Sequence, residues 1–212
     1  MLAIFKREFK SYFQNVIGWL FVAALLAVYG LYFYVYNLKN GYPYISYDLN
    51  GIGFIMMIAV PILTMRSLSD EKKTKTDQLM LTSPVSVGRI VAGKYFAMAA
   101  VYTIDIALFA LSPLVLSIYG KVALSEAYVA LFGYWLYGLS CIAVGLFISS
   151  ISESVIISAI LTFAALFLSY MMQSITGLIS SSGNLLTKVL NCFDLYTPFE
   201  NFVSGCFSVT SA

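Results

Sequence analysis

The chain contains no histidine. That absence removes the imidazole metal ligand, the commonest general base and every His-centred nucleophilic triad. Cysteine is nearly as scarce. Cys141, Cys192 and Cys206 show no C-x-x-C spacing, so neither a zinc site nor a dithiol redox motif is present. Charge is also rare: 10% of the residues are charged, against about 25% in an average soluble domain. The formal net charge of +2 is too small to point to a nucleic-acid partner. No residue is assigned a catalytic or metal-binding role.

What fills the chain instead is apolar. Hydrophobic residues make up 60% and the mean hydropathy is +0.87, the composition of an integral membrane protein. Residues 1–15 form an amphipathic helix by periodicity. Phe5, Phe9 and Phe13 fall on one face with Leu2 and Tyr12, while Lys6, Arg7 and Lys10 fall on the other. Such a helix lies in the plane of the membrane interface, rings among the acyl chains and cations at the lipid headgroups.

A single transmembrane domain follows over residues 16–212. Residues 16–36 carry no charge and as a helix extend about 31 Å, enough for a hydrocarbon core of about 30 Å. Residues 37–50 read as a polar loop with interfacial tyrosines, and residues 51–65 as a short second span kinked at Pro61. The third, fourth and fifth spans are placed at 95–118, 127–148 and 155–173, the last two forming a hairpin over a loop at 149–154. Along the fifth, Ser154, Ser158 and Thr162 make a small polar stripe suited to close helix packing. Residues 174–212 turn polar, with a short helical stripe of Leu185, Leu186, Val189, Leu190 and Phe193. The expected fold is thus an all-α polytopic membrane protein, an interfacial helix plus five transmembrane helices.

The one long charged interruption is 66–94, which holds Arg66, Lys72, Lys73, Lys75, Arg89 and Lys94 with Asp70, Glu71 and Asp77. If Met1 is cytoplasmic, these six cations join Lys6, Arg7 and Lys10 inside, against Lys39, Lys121 and Lys188 outside. The positive-inside rule therefore places 66–94 in the cytoplasm and 174–212 outside, where Cys192 and Cys206 could pair if the compartment is oxidising. Within the charged segment Thr74 and Asp77 have capping-box spacing, Gln78, Leu79, Met80 and Leu81 form an apolar helical turn, and Pro84 stops it. An apolar turn flanked by charge fits a groove on a soluble partner. The run from Gly88 to Tyr95 nearly matches a P-loop, but Tyr95 stands where a magnesium-binding hydroxyl is needed. Lys94 and Arg89 read instead as anchors reaching to the headgroups.

At these residues the chain resembles a known family. Glu71-Lys72-Lys73-Thr74-Lys75-Thr76-Asp77-Gln78-Leu79-Met80-Leu81-Thr82-Ser83-Pro84-Val85, followed by a helix beginning Arg89-Ile90-Val91-Ala92-Gly93-Lys94, looks like the coupling segment of type-2 ABC transporter permeases, nearest to the gliding-motility and nitrous-oxide-reductase-maturation branch. Phe5-Lys6-Arg7-Glu8-Phe9-Lys10-Ser11-Tyr12-Phe13 is similar to the interfacial helix that opens those permeases. Lys75 and Asp77 depart from the Gly and Glu common there, and the family pattern has six spans, the last not present in this sequence. The resemblance implies a plasma-membrane permease subunit of an ATP-driven exporter, without an ATPase site of its own. It would pair with a second permease chain, alike or different, and with separate ATP-binding subunits that hold ATP and magnesium. Glu71, Thr76, Asp77, Gln78, Leu79, Met80, Leu81 and Pro84 would form the coupling contact.

Asp105 supports a rival. An acid in the middle of a membrane helix is a functional candidate, here as the carrier of an ion-coupled secondary transporter. The competing expectation is an acid facing a helix interface, hydrogen-bonded to Ser or Tyr.

Overall fold

The structure, a computed structural model, describes residues 2–76, 86–119 and 122–179 together with Tyr196 and Phe199; at residue 119 and from 172 to 179 only the backbone is described. Every regular element among the described residues is helical. They are α1 (Leu2–Gln14), α2 (Val16–Phe33), α3 (Ser46–Thr64), α4 (Ser69–Lys73), α5 (Val87–Phe109), α6 (Ser112–Tyr119), α7 (Leu124–Ile151) and α8 (Val155–Ile179). A π-helical turn, Tyr34–Lys39, prolongs α2. Among the described residues four stretches are long and apolar enough to cross a membrane, Val16–Lys39, Ser46–Lys73, Val87–Ile118 and Leu124–Ile151, and Val155–Met171 is a shorter apolar helix. The chain is an all-α polytopic membrane protein.

The short second span solves its length problem in both ways open to it. α3 starts at Ser46, drawing on the expected loop, and lies inside the bundle against α2, α7 and α8. Leu49, Ile52, Met56, Met57, Val60 and Leu63 have no exposed surface. The helix continues through Pro61 for one further turn before ending at Thr64. It meets α7 closely because Gly145 has no side chain: a Cβ there would run into Thr64. α2 does the opposite, exposing Trp19, Leu20, Leu31, Tyr34, Val35 and Leu38. Such a surface is stable only against lipid or another apolar chain.

The third span is interrupted. Pro113 has no N–H for the Phe109 carbonyl, and the Ser112 hydroxyl donates to that carbonyl instead, at 2.7 Å. Two helices, α5 and α6, therefore stand where one was expected. α7 is longer at both ends than expected, and the hairpin to α8 narrows to Ser152, Glu153 and Ser154. On α8, Ser158 and Thr162 are buried and Thr162 donates to the Ser158 carbonyl at 2.8 Å, so the polar stripe faces the bundle. Tyr196 and Phe199 also enter the core. Phe199 stacks on Tyr137 at 5.2 Å, Tyr196 meets Tyr170 edge-on at 4.7 Å, and the Tyr196 hydroxyl donates to Asn50. The stripe from Leu185 to Phe193, with Cys192 and Cys206, lies outside the described residues.

Candidate functional site at the charged end of the bundle

α1, α4 and the first turns of α5 converge at one end of the bundle and bring four charges together. Lys94, two turns into α5, is 1% exposed. Its ammonium donates to Glu71 Oε1 of α4 at 2.7 Å and to the Ser67 carbonyl at 2.8 Å, and lies 3.5 Å from Glu8 Oε1 of α1. Arg7 lies 2.7 Å from the same Glu8 oxygen and 3.8 Å from that of Glu71. Two cations thus face two carboxylates, and the cluster is neutral. Balance of this kind is what makes burial of an ammonium tolerable, since an unpaired one costs several kcal/mol.

The local chain explains why Glu71 points there. The backbone N–H groups of Leu68 and Ser69 both donate to Ser149 Oγ at 3.2 Å, so a serine of α7 caps the start of α4. Ser69 Oγ returns a bond to the Ser149 carbonyl at 3.1 Å. α4 is thereby bolted to α7 at its first residue and to α5 and α1 through Glu71. Thr74 ends the helix, its hydroxyl donating to the Asp70 carbonyl at 2.8 Å. Thr74 is thus the C-cap of α4; its expected capping partner Asp77 and the turn at 78–81 lie outside the described residues. Lys75 follows in the left-handed region, φ 56°, the conformation for which glycine is the default residue.

Between α1, α4 and α5 a cleft of about 640 Å³ opens, lined by residues that include Arg7, Tyr12, Arg66, Asp70 and Thr76 beside the ion cluster. Burial, and after it the Glu8 carboxylate, hold the Tyr12 phenol above its ordinary range. It stays neutral and points its hydroxyl at the Leu63 carbonyl, 3.4 Å away.

Lys94 does not reach to the headgroups. The corrected position is interior, because Glu8 and Glu71 offer it two carboxylates within the fold. The P-loop resemblance also fails on geometry, since Gly88 to Lys94 are all helical and no loop is left to cradle a phosphate. Of the coupling residues, Glu71 sits in the ion cluster and Thr76 is exposed beside the cleft, while Asp77, Gln78, Leu79, Met80, Leu81 and Pro84 lie outside the described residues. Phe5, Phe9 and Phe13 stack in sequence along α1, with centroids 5.8 and 5.0 Å apart. Phe9 and Phe13 are half-buried against the core, and Lys6 and Lys10 are exposed.

Asp105 is fully buried, and neither carboxylate oxygen has a hydrogen-bond partner among the described residues. The expected bond to Ser or Tyr is absent among the described residues, although the nearby Tyr134 hydroxyl is also buried without a partner there. Tyr102 donates to the Tyr134 carbonyl at 2.6 Å and Thr103 to the Ala99 carbonyl at 2.7 Å. At the opposite end the buried pair Asn37 and Asp48, where the amide donates to the carboxylate, lies in what had read as a loop. Glu8 and Ser149 were missed as well. The one signal for Glu8 is its place on the helical wheel, beside Tyr12 at the edge of the apolar face and away from Lys6 and Lys10.

A family model described as ABC-2 family transporter protein matches residues 20–209. The chain belongs to the ABC-2 transporter family. No curated protein and no solved structure matches it. For an ABC-2 membrane subunit, ATP-binding subunits are the normal companions. In this ABC-2 chain the matched region takes in α4, α5 and Ser149 but begins after α1, which supplies Arg7 and Glu8.

Proposed function

We propose that the chain is the permease subunit of an ATP-driven exporter, in which two permease chains, alike or different, line the path and two ATP-binding subunits dock beneath them. ATP and magnesium belong to those partners. The N-terminus and residues 66–94 lie in the cytoplasm, since nine of the twelve Lys and Arg residues then fall on the inner side. α1 lies at the inner surface of the plasma membrane with Lys6 and Lys10 toward the headgroups. The observation that carries the reading is the anchoring of the charged segment: α4, just ahead of Thr76, is fixed to α1, α5 and α7. A push on 76–82 therefore meets a firm seat.

Leu79 and Leu81 fill a groove on the ATP-binding subunit, with Asp77 at its rim. Removing a desolvated apolar anchor costs on the order of 2 kcal/mol or more, roughly thirtyfold in affinity. Leu79→Ala with Leu81→Ala is expected to release the ATP-binding subunit on co-purification, whereas Asp77→Ala gives a milder, salt-sensitive loss. A double variant that retains its partner at wild-type affinity makes the segment a linker only. The second reading, an ion-coupled transporter, has one observation in its favour, the buried carboxylate of Asp105 with no hydrogen-bond partner among the described residues.

A further inference from the structure

Glu71 and Lys94 stand at the two ends of the coupling segment, and their side chains meet at 2.7 Å. The chain that leaves the bundle through α4 is thus stitched to the chain that re-enters it through α5. Glu8 joins the same ammonium from the N-terminal helix, and Arg7 bridges both carboxylates. Each of the three helices contributes a charge that the others need. α1 has no fully buried residue of its own, so what it shares with α4 is this cluster and the cleft beside it.

We infer that Lys94 is a positioning residue that ties the N-terminal helix to the coupling segment, so that α1, α4 and the start of α5 move as one body when the ATP-binding subunits close. The inference rests on the permease reading for what drives the motion, but not for the tie itself. A side chain this buried cannot exchange its partners for water. Removing its charge leaves Glu8 and Glu71, two acids contacting the same cation, with Arg7 alone between them. α1 then loses its hold on the segment. α1 keeps its packing against α5, so the push still reaches it through that helix, but no longer directly from α4.

The test uses the full chain in lipid vesicles, with spin labels at the exposed positions Lys10 on α1 and Lys73 on α4. In the wild type the label distance is expected to be single and narrow. Lys94→Met and Glu8→Gln broaden it, and Lys94→Arg, which keeps the charge and has the cleft to extend into, restores it. Glu8→Gln leaves the Lys94–Glu71 pair whole, so it tests the tie even where Lys94→Met fails to insert. The same distance is then read in the complex with its ATP-binding subunits, nucleotide-free and vanadate-trapped. It stays constant in the wild type and differs between the two states in Lys94→Met. An unaltered, narrow distribution in both Lys94→Met and Glu8→Gln overturns the tie. A complex that never assembles, with the vesicle distances behaving as expected, counts against the permease reading and leaves the tie standing.

Discussion

The ring of Tyr102 on α5 occupies the space that a Cβ on Gly138 of α7 would need. Its hydroxyl donates to the Tyr134 carbonyl one turn earlier, at 2.6 Å. The tyrosine is fully buried, so it has no free volume to retreat into. Overpacking of this kind costs about 1–3 kcal/mol. Gly138→Ala is therefore expected to lower the unfolding temperature of the purified chain, and combining it with Tyr102→Leu should cost less than the two single changes added together. Strict additivity would show that the two positions do not press on each other.

Asp105 yields a prediction of opposite sign. A buried acid with no hydrogen-bond partner among the described residues is a destabilising element, and replacing it by an apolar residue of similar shape removes a polar group that gains nothing from them. Asp105→Leu should raise thermal stability, and Asp105→Asn should leave coupling to the ATP-binding subunit intact. Normal assembly together with loss of transport activity in Asp105→Asn would move the choice toward the ion-coupled reading.

Orientation is open to a direct check. With Cys192 and Cys206 replaced by serine and only the buried Cys141 left, cysteines introduced at the exposed positions Thr76 and Arg89 should react only with membrane-permeant thiol reagents in intact cells. A cysteine at Lys39 should react with impermeant ones. Labelling of position 76 from outside would reverse the topology and remove the coupling assignment with it.

Lys75 holds a left-handed backbone, φ 56°, which disfavours a residue with a Cβ by roughly 1–2 kcal/mol. Lys75→Gly should relieve that strain and slow proteolysis at the end of α4, whereas Lys75→Val should speed it. Equal rates for all three would mean that the turn is not held in this conformation.

The spans were legible because burial in lipid leaves a long, local signature: runs of apolar residues mark 16–36 and 127–148 without knowledge of anything distant. Edges were less so. Tyr47, Asp48 and Asn50 look like loop residues in sequence, yet Asp48 is fully buried because Asn37, carried inward by the π-helical turn, supplies its hydrogen bond. The ion cluster was illegible for the same reason on a larger scale. A lysine at the start of a membrane helix has two destinations, a headgroup or an interior acid, and the choice depends on residues 8 and 71, which only the fold brings near residue 94.

The contact between Glu71 and Lys94 also makes the bundle indifferent to what lies between them. A loop whose ends are already joined is lengthened cheaply, by about 0.6 kcal/mol for each doubling, and its tip can vary without shifting the helices that carry it. On the proposed reading, residues 77–85 can therefore diverge while the socket that α4 and α5 form stays fixed. A chimera carrying another permease's sequence there is expected to insert with an unchanged membrane domain, so that new pairings between permeases and ATP-binding subunits could arise in evolution by replacing a dozen residues or fewer.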